Sequence, residues 1–334
     1  MSWKAKIKKI ELALENLSPH ETHCTLCPHE CGINRRKGET GFCESGPEAS
    51  VSHAIPHYGE EPVLSGYADC AANAQKDNGL PSGSGTLFFS GCNLKCLYCQ
   101  NYQLSWLNQG HVVSSSELAE TILTLQNQRV LNINLVTPVH MLIPILRGLQ
   151  KAYAGGLHLP VVYNTSAYEK AETVRQLEGI IDVYLPDLKY RSPRVSQRYS
   201  NAPDYFQHAS RAIEEMFRQQ PELMFDRDET VRKGLIIRHL LLPGTTADSL
   251  SVLEWIAESI SLSVGLSLMS QYVPCFRAPE EIRKKITPDE YKKVVNKAQE
   301  LKFETLFLQP ALFSRDENLV PDFNKNSPFK WGPK

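Results

Sequence analysis

The sequence has no excess of either charge: 36 Lys and Arg stand against 37 Asp and Glu over 334 residues, a formal net charge of −1. That absence removes the positive field on which non-specific nucleic-acid binding depends, so nucleic acid is not an expected partner. Long apolar runs are also missing. The longest, such as Gly234–Ile237, stop within a few residues, so no membrane-spanning segment and no membrane partner is expected. The first ten residues carry Lys4, Lys6, Lys8 and Lys9 with no apolar stretch behind them, and a cytoplasmic location is expected. No repeat of 20–50 residues and no low-complexity tract is visible. The short basic groups Arg35–Lys37 and Arg283–Lys285 are flanked by acids and read as solvated faces.

What is present in quantity is apolar content and cysteine. Apolar residues make up 42% of the chain, enough for one large α/β domain with a small appendage. Of the nine cysteines, Cys24, Cys27, Cys31 and Cys43 form one cluster and Cys92, Cys96 and Cys99 another. In a reducing compartment such spacing points to metal ligation or catalysis in preference to disulfides. Cys70 and Cys275 have no paired spacing and read as small, buried or half-buried residues.

Residues 4–17 place Ile7, Ile10, Leu14 and Leu17 at helical spacing, ending at Ser18-Pro19. Residues 20–84 show little periodicity and many turn formers, so 1–84 reads as a helix plus a loop-rich four-cysteine segment that needs a metal or the main domain to hold it. From residue 85 to about 310, strands at Thr86–Ser90, Asn132–Thr137, Pro160–Asn164, Ile181–Pro186, Gly234–Leu241, Val264–Ser270 and Thr305–Leu308 alternate with helices near 116–127, 139–153, 169–178, 247–260 and 288–301. That alternation predicts a full or partial (β/α) barrel of six to seven parallel strands, with function at the carboxyl ends of the strands. The stretch 190–232 is too long for a simple crossover and should contain an extra helix near 207–219. Residues 311–334 form a tail.

Cys92, Cys96 and Cys99 follow the first predicted core strand with C-x3-C-x2-C spacing. Three thiolates can hold three irons of a [4Fe–4S] cube and leave the fourth open to a substrate or cofactor. The competing readings are a redox pair Cys96–Cys99, which has no use for Cys92, zinc completed by a distant His, and inert buried thiols. In the first cluster, C-x2-C-x3-C-x11-C is a closed set of four thiols that saturates either one tetrahedral zinc or a second [4Fe–4S] cluster. The intervening Arg35, Arg36 and Lys37 would offset the negative charge of either. His23 and His29 are spare candidates better read as supporting or exposed residues.

Cys92-x3-Cys96-x-Tyr98-Cys99, with its aromatic before the last cysteine, resembles the signature of the radical S-adenosylmethionine (SAM) superfamily. The strand-end phrases Asn132–Pro138, Val161–Ser166, Tyr184–Tyr190, Ile237–Gly244 and Leu268–Pro274 are most similar to the homologues of pyruvate formate-lyase activating enzyme. The resemblance implies SAM on the open iron, cleaved reductively to methionine and a 5′-deoxyadenosyl radical. It also implies a flavodoxin- or ferredoxin-like electron donor and, as substrate, either a protein such as a glycyl-radical enzyme to be activated or modified, or a small molecule. The Gly-Gly-Glu run that often contacts the SAM amino group is absent. Leu135–His140 stands in its place, so Thr137, a backbone carbonyl or His140 is expected to supply that contact.

Among polar residues at strand ends, Asn164 and Ser166 can hydrogen-bond a ribose and fall where the family's ribose contacts fall; turn formation and helix capping is the plainer role. Asp187 and Lys189 share one parity beyond their strand and can both face the mouth, near the SAM carboxylate by the family pattern, or form a surface ion pair. Arg238 lies inside an apolar strand and needs a carboxylate, expected to be Asp187 or the ligand's own. His239, on the opposite face, reads as a core residue. Gln271 and Tyr272 are expected near adenine, and Tyr98 beside the cofactor. The rival function is an iron–sulfur electron-transfer or redox-sensing protein without catalysis, which would need two closed clusters where the second motif offers three cysteines.

Overall fold

The computed structural model describes residues 2–66, 83–309 and 319–329. Cys70, much of the turn-rich 78–85 run and part of the C-terminal tail lie outside the described residues.

All seven expected core strands are present and mutually parallel. They are β2 (Ser84–Phe89), β4 (Ile133–Val136), β5 (Val161–Thr165), β6 (Val183–Pro186), β8 (Val231–Leu240), β9 (Gly265–Met269) and β10 (Thr305–Leu308). Covered by helices, such strands bury both faces and so read as continuous apolar runs. Every residue of β2, β5, β6 and β9 is buried.

Among the described residues the sheet is open, so a full barrel does not form; its ten strands run in the order β10-β9-β8-β6-β5-β4-β2-β1-β3, with β7 (Met224–Phe225) on β8. The outer edge of β2, where closure would have to occur, is taken by β1 (Ala49–His57), which pairs with it antiparallel. A short β3 (His111–Val113) then covers the first residues of β1. The seven parallel strands are thus the middle and one end of a mixed sheet. β1 comes from the segment read as loop. Its Pro56 is tolerated because β3 pairs only with residues 49–51, which leaves β1 an edge strand at Pro56.

The crossover helices lie close to their expected positions. Ser115–Asn127 and Pro288–Glu300 each begin with a reciprocal capping box, Ser114 with Glu117 and Thr287 with Glu290. The 190–232 stretch holds two helices, Pro193–Ser200 and Tyr205–Gln219, where one was expected. The first helix, α1 (Trp3–Leu17), is pinned to the sheet by Lys6. The buried Lys6 Nζ donates to Asp182 Oδ2 at 2.5 Å, the Tyr153 hydroxyl at 3.0 Å and the Ile180 carbonyl at 3.1 Å, so its charge is paired where burial alone would penalise it. Among the described residues, no helix is long and apolar enough to cross a membrane.

Candidate functional site

The loop leaving β2 carries the three thiols. It turns on Gly91, whose φ of +80° suits glycine and where a Cβ would lie 2.6 Å from the Cys43 carbonyl oxygen. Within the loop, the backbone N–H groups of Leu94 and Lys95 point at Cys92 Sγ, at 3.3 and 3.5 Å. The Ser200 hydroxyl donates to Cys96 Sγ at 3.1 Å. Behind Ser200 runs a chain of hydroxyls, Tyr190 at 2.8 Å from Ser200 and Tyr98 at 2.6 Å from Tyr190. Tyr98 therefore spends its hydroxyl on a relay that ends at a cysteine sulfur. Burial raises the Cys92 thiol and pushes Cys99 up to about 12. A thiol so placed is a poor nucleophile at neutral pH and becomes a thiolate when a cation holds it, which disfavours a reactive dithiol.

These cysteines border a cavity of about 250 Å³ at the carboxyl ends of the parallel strands. Asn164, Ser166, Asp187, Lys189, Arg238, Gln271 and Tyr98 all line it. Ser166 Oγ is buried there with no hydrogen-bond partner, a polar atom that a ligand could satisfy. Lys189 Nζ donates to Asp187 Oδ2 at 2.5 Å; burial pulls the lysine down, but Asp187 together with the nearby Cys96 and Tyr205 raises it above its ordinary value. Gln271 faces Gln309, whose amide donates to its side-chain oxygen at 3.0 Å.

Arg238 does not take Asp187 as its side-chain partner. The two are paired through their backbones, while the guanidinium grips Glu61 with Nε to Oε1 at 2.9 Å and Nη2 to Oε2 at 2.5 Å, and also meets Glu60. Both acids come from the turn after β1 and line the cavity. No periodicity marks them, and the one clue in the sequence was the need of a buried Arg238 for a carboxylate. Formally, the wall now holds three carboxylates, Glu60, Glu61 and Asp187, against two cations, Lys189 and Arg238. One negative charge is left over in a mostly desolvated place, which favours a ligand bearing positive charge.

His140 lies away from the cavity. It is 1% exposed, its Nε2 donates to the Ser90 carbonyl at 2.8 Å, and burial brings it down to about 4. It thus braces the cysteine loop as a neutral ring. Thr137 does line the cavity, in a left-handed conformation (φ +54°) that is costly for a β-branched residue, with its N–H donating to the Asn164 carbonyl at 2.7 Å. Tyr272 is buried with its hydroxyl on the Ile282 carbonyl, away from the cavity. His239 is a core residue held by the Leu188 carbonyl. Cys275 is half-buried, its thiol 3.4 Å from the Cys99 carbonyl oxygen.

Beneath Thr165, a cavity-lining residue, Glu169 is fully buried, with the Tyr163 hydroxyl donating to it at 3.0 Å and the Thr165 hydroxyl also donating. Burial outweighs both bonds and lifts its carboxyl from 4.5 to about 7. The folded chain thus holds a proton that the unfolded chain gives up between those values, so stability falls as pH rises through that window. Glu169→Gln is expected to flatten this dependence by on the order of 3 kcal/mol, read from urea unfolding below and above the window. An unchanged slope would exclude Glu169 as its source.

The four remaining clustered thiols, Cys24, Cys27, Cys31 and Cys43, surround a second, much smaller cavity of about 10 Å³. Arg35, 6% exposed, sends Nε and Nη2 to Cys24 Sγ, each at 3.4 Å, and Nη2 to Cys43 Sγ at 3.5 Å. At Gly41 a Cβ would overlap Cys31 Sγ at 2.7 Å, so the loop is shaped to the sulfur. Burial, with the other three sulfurs close by, pushes Cys27 up to about 12. Among the described residues, no three such side chains are drawn to the spacing of a bound ion. The donor set, all sulfur and faced by a guanidinium, nevertheless suits a thiolate-bound metal.

Residues 81–183, which include the three-cysteine loop, match the family model of a 4Fe-4S single cluster domain. The match indicates a [4Fe–4S] cluster-binding domain. An uncharacterized protein of Methanocaldococcus jannaschii is 29% identical over 297 residues, covering 85% of this chain and 77% of the relative. Three thiols beside a polar cavity at the strand ends are residues that would suit a [4Fe–4S] cluster.

Proposed function

We propose that the chain is a radical SAM enzyme that holds a [4Fe–4S] cluster on Cys92, Cys96 and Cys99 and SAM in the adjoining cavity. The observation that carries this reading is the opening of a three-thiol set, one ligand short of closure, directly onto a polar cavity with a net negative wall. Such a cluster supplies the electron that splits SAM into methionine and a 5′-deoxyadenosyl radical.

The protein's part is to bind and orient. SAM carries a sulfonium and an ammonium, and the surplus carboxylate among Glu60, Glu61 and Asp187 matches that charge. Glu60 and Glu61 therefore take over the role expected of a Gly-Gly-Glu run, with Arg238 as the shared partner of both. Lys189 suits the SAM carboxylate, and Asn164 and Ser166 suit the ribose hydroxyls, Ser166 Oγ being the group left unpaired. Gln271 and Gln309 offer amide donors and acceptors for adenine. Phe88 and Phe329 close the cavity on its apolar side. A closed electron carrier has no need of a cavity of this kind. The reducing electron comes from a flavodoxin- or ferredoxin-like donor, and the substrate is a protein such as a glycyl-radical enzyme, on the strength of the resemblance to activating enzymes.

The test is anaerobic reconstitution with iron and sulfide, then SAM and dithionite, with chromatography for 5′-deoxyadenosine. A chain that loads its cluster and yields none above background does not do this chemistry.

A further inference from the structure

Three residues that flank the first two ligands of the three-thiol loop, Gly91, Asn93 and Lys95, each touch the four-thiol segment. Gly91, just before Cys92, is packed against the Cys43 carbonyl so closely that no side chain fits there. Asn93, just after Cys92, has its carbonyl oxygen 2.7 Å from His29 Nε2, which as its donor fixes the ring's tautomer. That ring lies between Cys27 and Cys31 in sequence and stacks on Phe42 with centroids 3.9 Å apart. Lys95, just before Cys96, donates from Nζ to Glu44 Oε1 at 2.5 Å, and the same ammonium sits over the Phe42 ring. Phe42 and Glu44 flank Cys43. Three odd-numbered positions of one loop therefore rest on Cys43 itself or on residues one or two positions from a ligand of the other set.

The two cavities differ in what they can take. The four-thiol cavity, about 10 Å³, is of a size for a single ion, against about 250 Å³ beside the three-thiol loop. We propose that Cys24, Cys27, Cys31 and Cys43 hold one tetrahedral metal ion of the zinc class, and that this loaded knuckle is the brace that positions the three-thiol loop to take up and keep its cluster. The link has a mechanical basis. The segment has few apolar side chains to fix His29, Phe42 and Glu44 unaided, so the ion sets their positions and, through them, those of Gly91, Asn93 and Lys95. The proposal rests on the reading of Cys92, Cys96 and Cys99 as cluster ligands but not on SAM.

The experiment uses the full chain and reads metal content and the visible absorption of the reconstituted cluster, with no activity assay. Zinc at about one per chain is expected in the wild type and in Cys92→Ser, because the brace does not depend on the loop. Cys27→Ser and Cys43→Ser are expected to lose the zinc and to load the cluster poorly. His29→Phe, which keeps the ring stack, and Glu44→Gln are expected to keep the zinc yet surrender iron to a chelator about tenfold faster than wild type. These two variants decide the matter if the cysteine variants fail to fold. Wild-type cluster retention in both would overturn the proposal, as would iron in place of zinc in reconstituted Cys92→Ser. A wild-type chain that takes up no cluster overturns this proposal and the cluster reading together. A chain that loads and keeps its cluster as described but makes no 5′-deoxyadenosine overturns the SAM reading alone.

Discussion

Replacing Cys92, Cys96 or Cys99 by alanine is expected to bring 5′-deoxyadenosine production to background, the largest functional loss any single change here should cause. A set of three thiolates that leaves one iron open has no spare ligand, and removing one exposes a second iron. Cys275 is no ready substitute, since its thiol is engaged with the Tyr98 and Cys99 carbonyls at 3.5 and 3.4 Å. The hydroxyl relay gives an internal comparison. Tyr190→Phe removes the middle of the chain from Tyr98 to Ser200 but leaves Ser200 its bond to Cys96, so its cluster should form and its activity should fall by a modest factor. The measurement is iron per chain together with 5′-deoxyadenosine formed from SAM and dithionite. Wild-type turnover in any one of the three alanine variants would sink the assignment.

How much of this could be read from the chain follows from which signals are local. Seven parallel strands were legible because each is a short apolar run closed by turn residues. The cysteines were legible because ligand spacing is a property of a few consecutive residues. Closure of the sheet was not, since it depends on what occupies the outer edge of β2. The answer, β1, is a strand whose Pro56 and histidines disguise it. The partner of Arg238 was illegible for a related reason. The need for a carboxylate follows from a charge inside an apolar strand, but Glu60 and Glu61 lie 178 and 177 positions away in a segment without periodicity. Likewise Ser200, which donates to Cys96, sits in the Pro193–Ser200 helix, where charged and hydroxyl residues crowd out the apolar repeat that reveals helices. His140 stayed ambiguous because a histidine at a strand end looks alike whether it faces a ligand or supports a loop from behind.

Arg238→Met should be the most damaging substitution to the fold at the cavity, and it separates a structural guanidinium from one present for the ligand alone. The side chain is 11% exposed and its carboxylate partners Glu60 and Glu61 each 7%, so removing the cation strands two acids in a desolvated wall. Breaking a buried pair in this way costs about 3–5 kcal/mol. The sign of the pH dependence should also reverse. In the wild type, Arg238 holds the Glu61 carboxyl below its ordinary value despite burial, so this group stabilises the fold above the unfolded carboxyl range and loses that effect as pH falls through its folded value. Without Arg238, burial, the largest influence on Glu61, is opposed only by hydrogen bonds from Ser267 and the backbone; Glu61 is expected to rise, the folded state to bind the extra proton, and stability to rise as pH falls toward the carboxyl range. Glu60→Gln with Glu61→Gln in the Arg238→Met background should recover most of the loss, because no unpaired charge remains. Urea unfolding at neutral and mildly acidic pH measures all three chains. If Arg238→Met unfolds at the wild-type midpoint with an unaltered pH slope, the guanidinium is not what holds the Glu61 carboxyl down. Recovery of stability in the triple variant with no recovery of SAM binding would assign the acids to the ligand and the arginine to the acids.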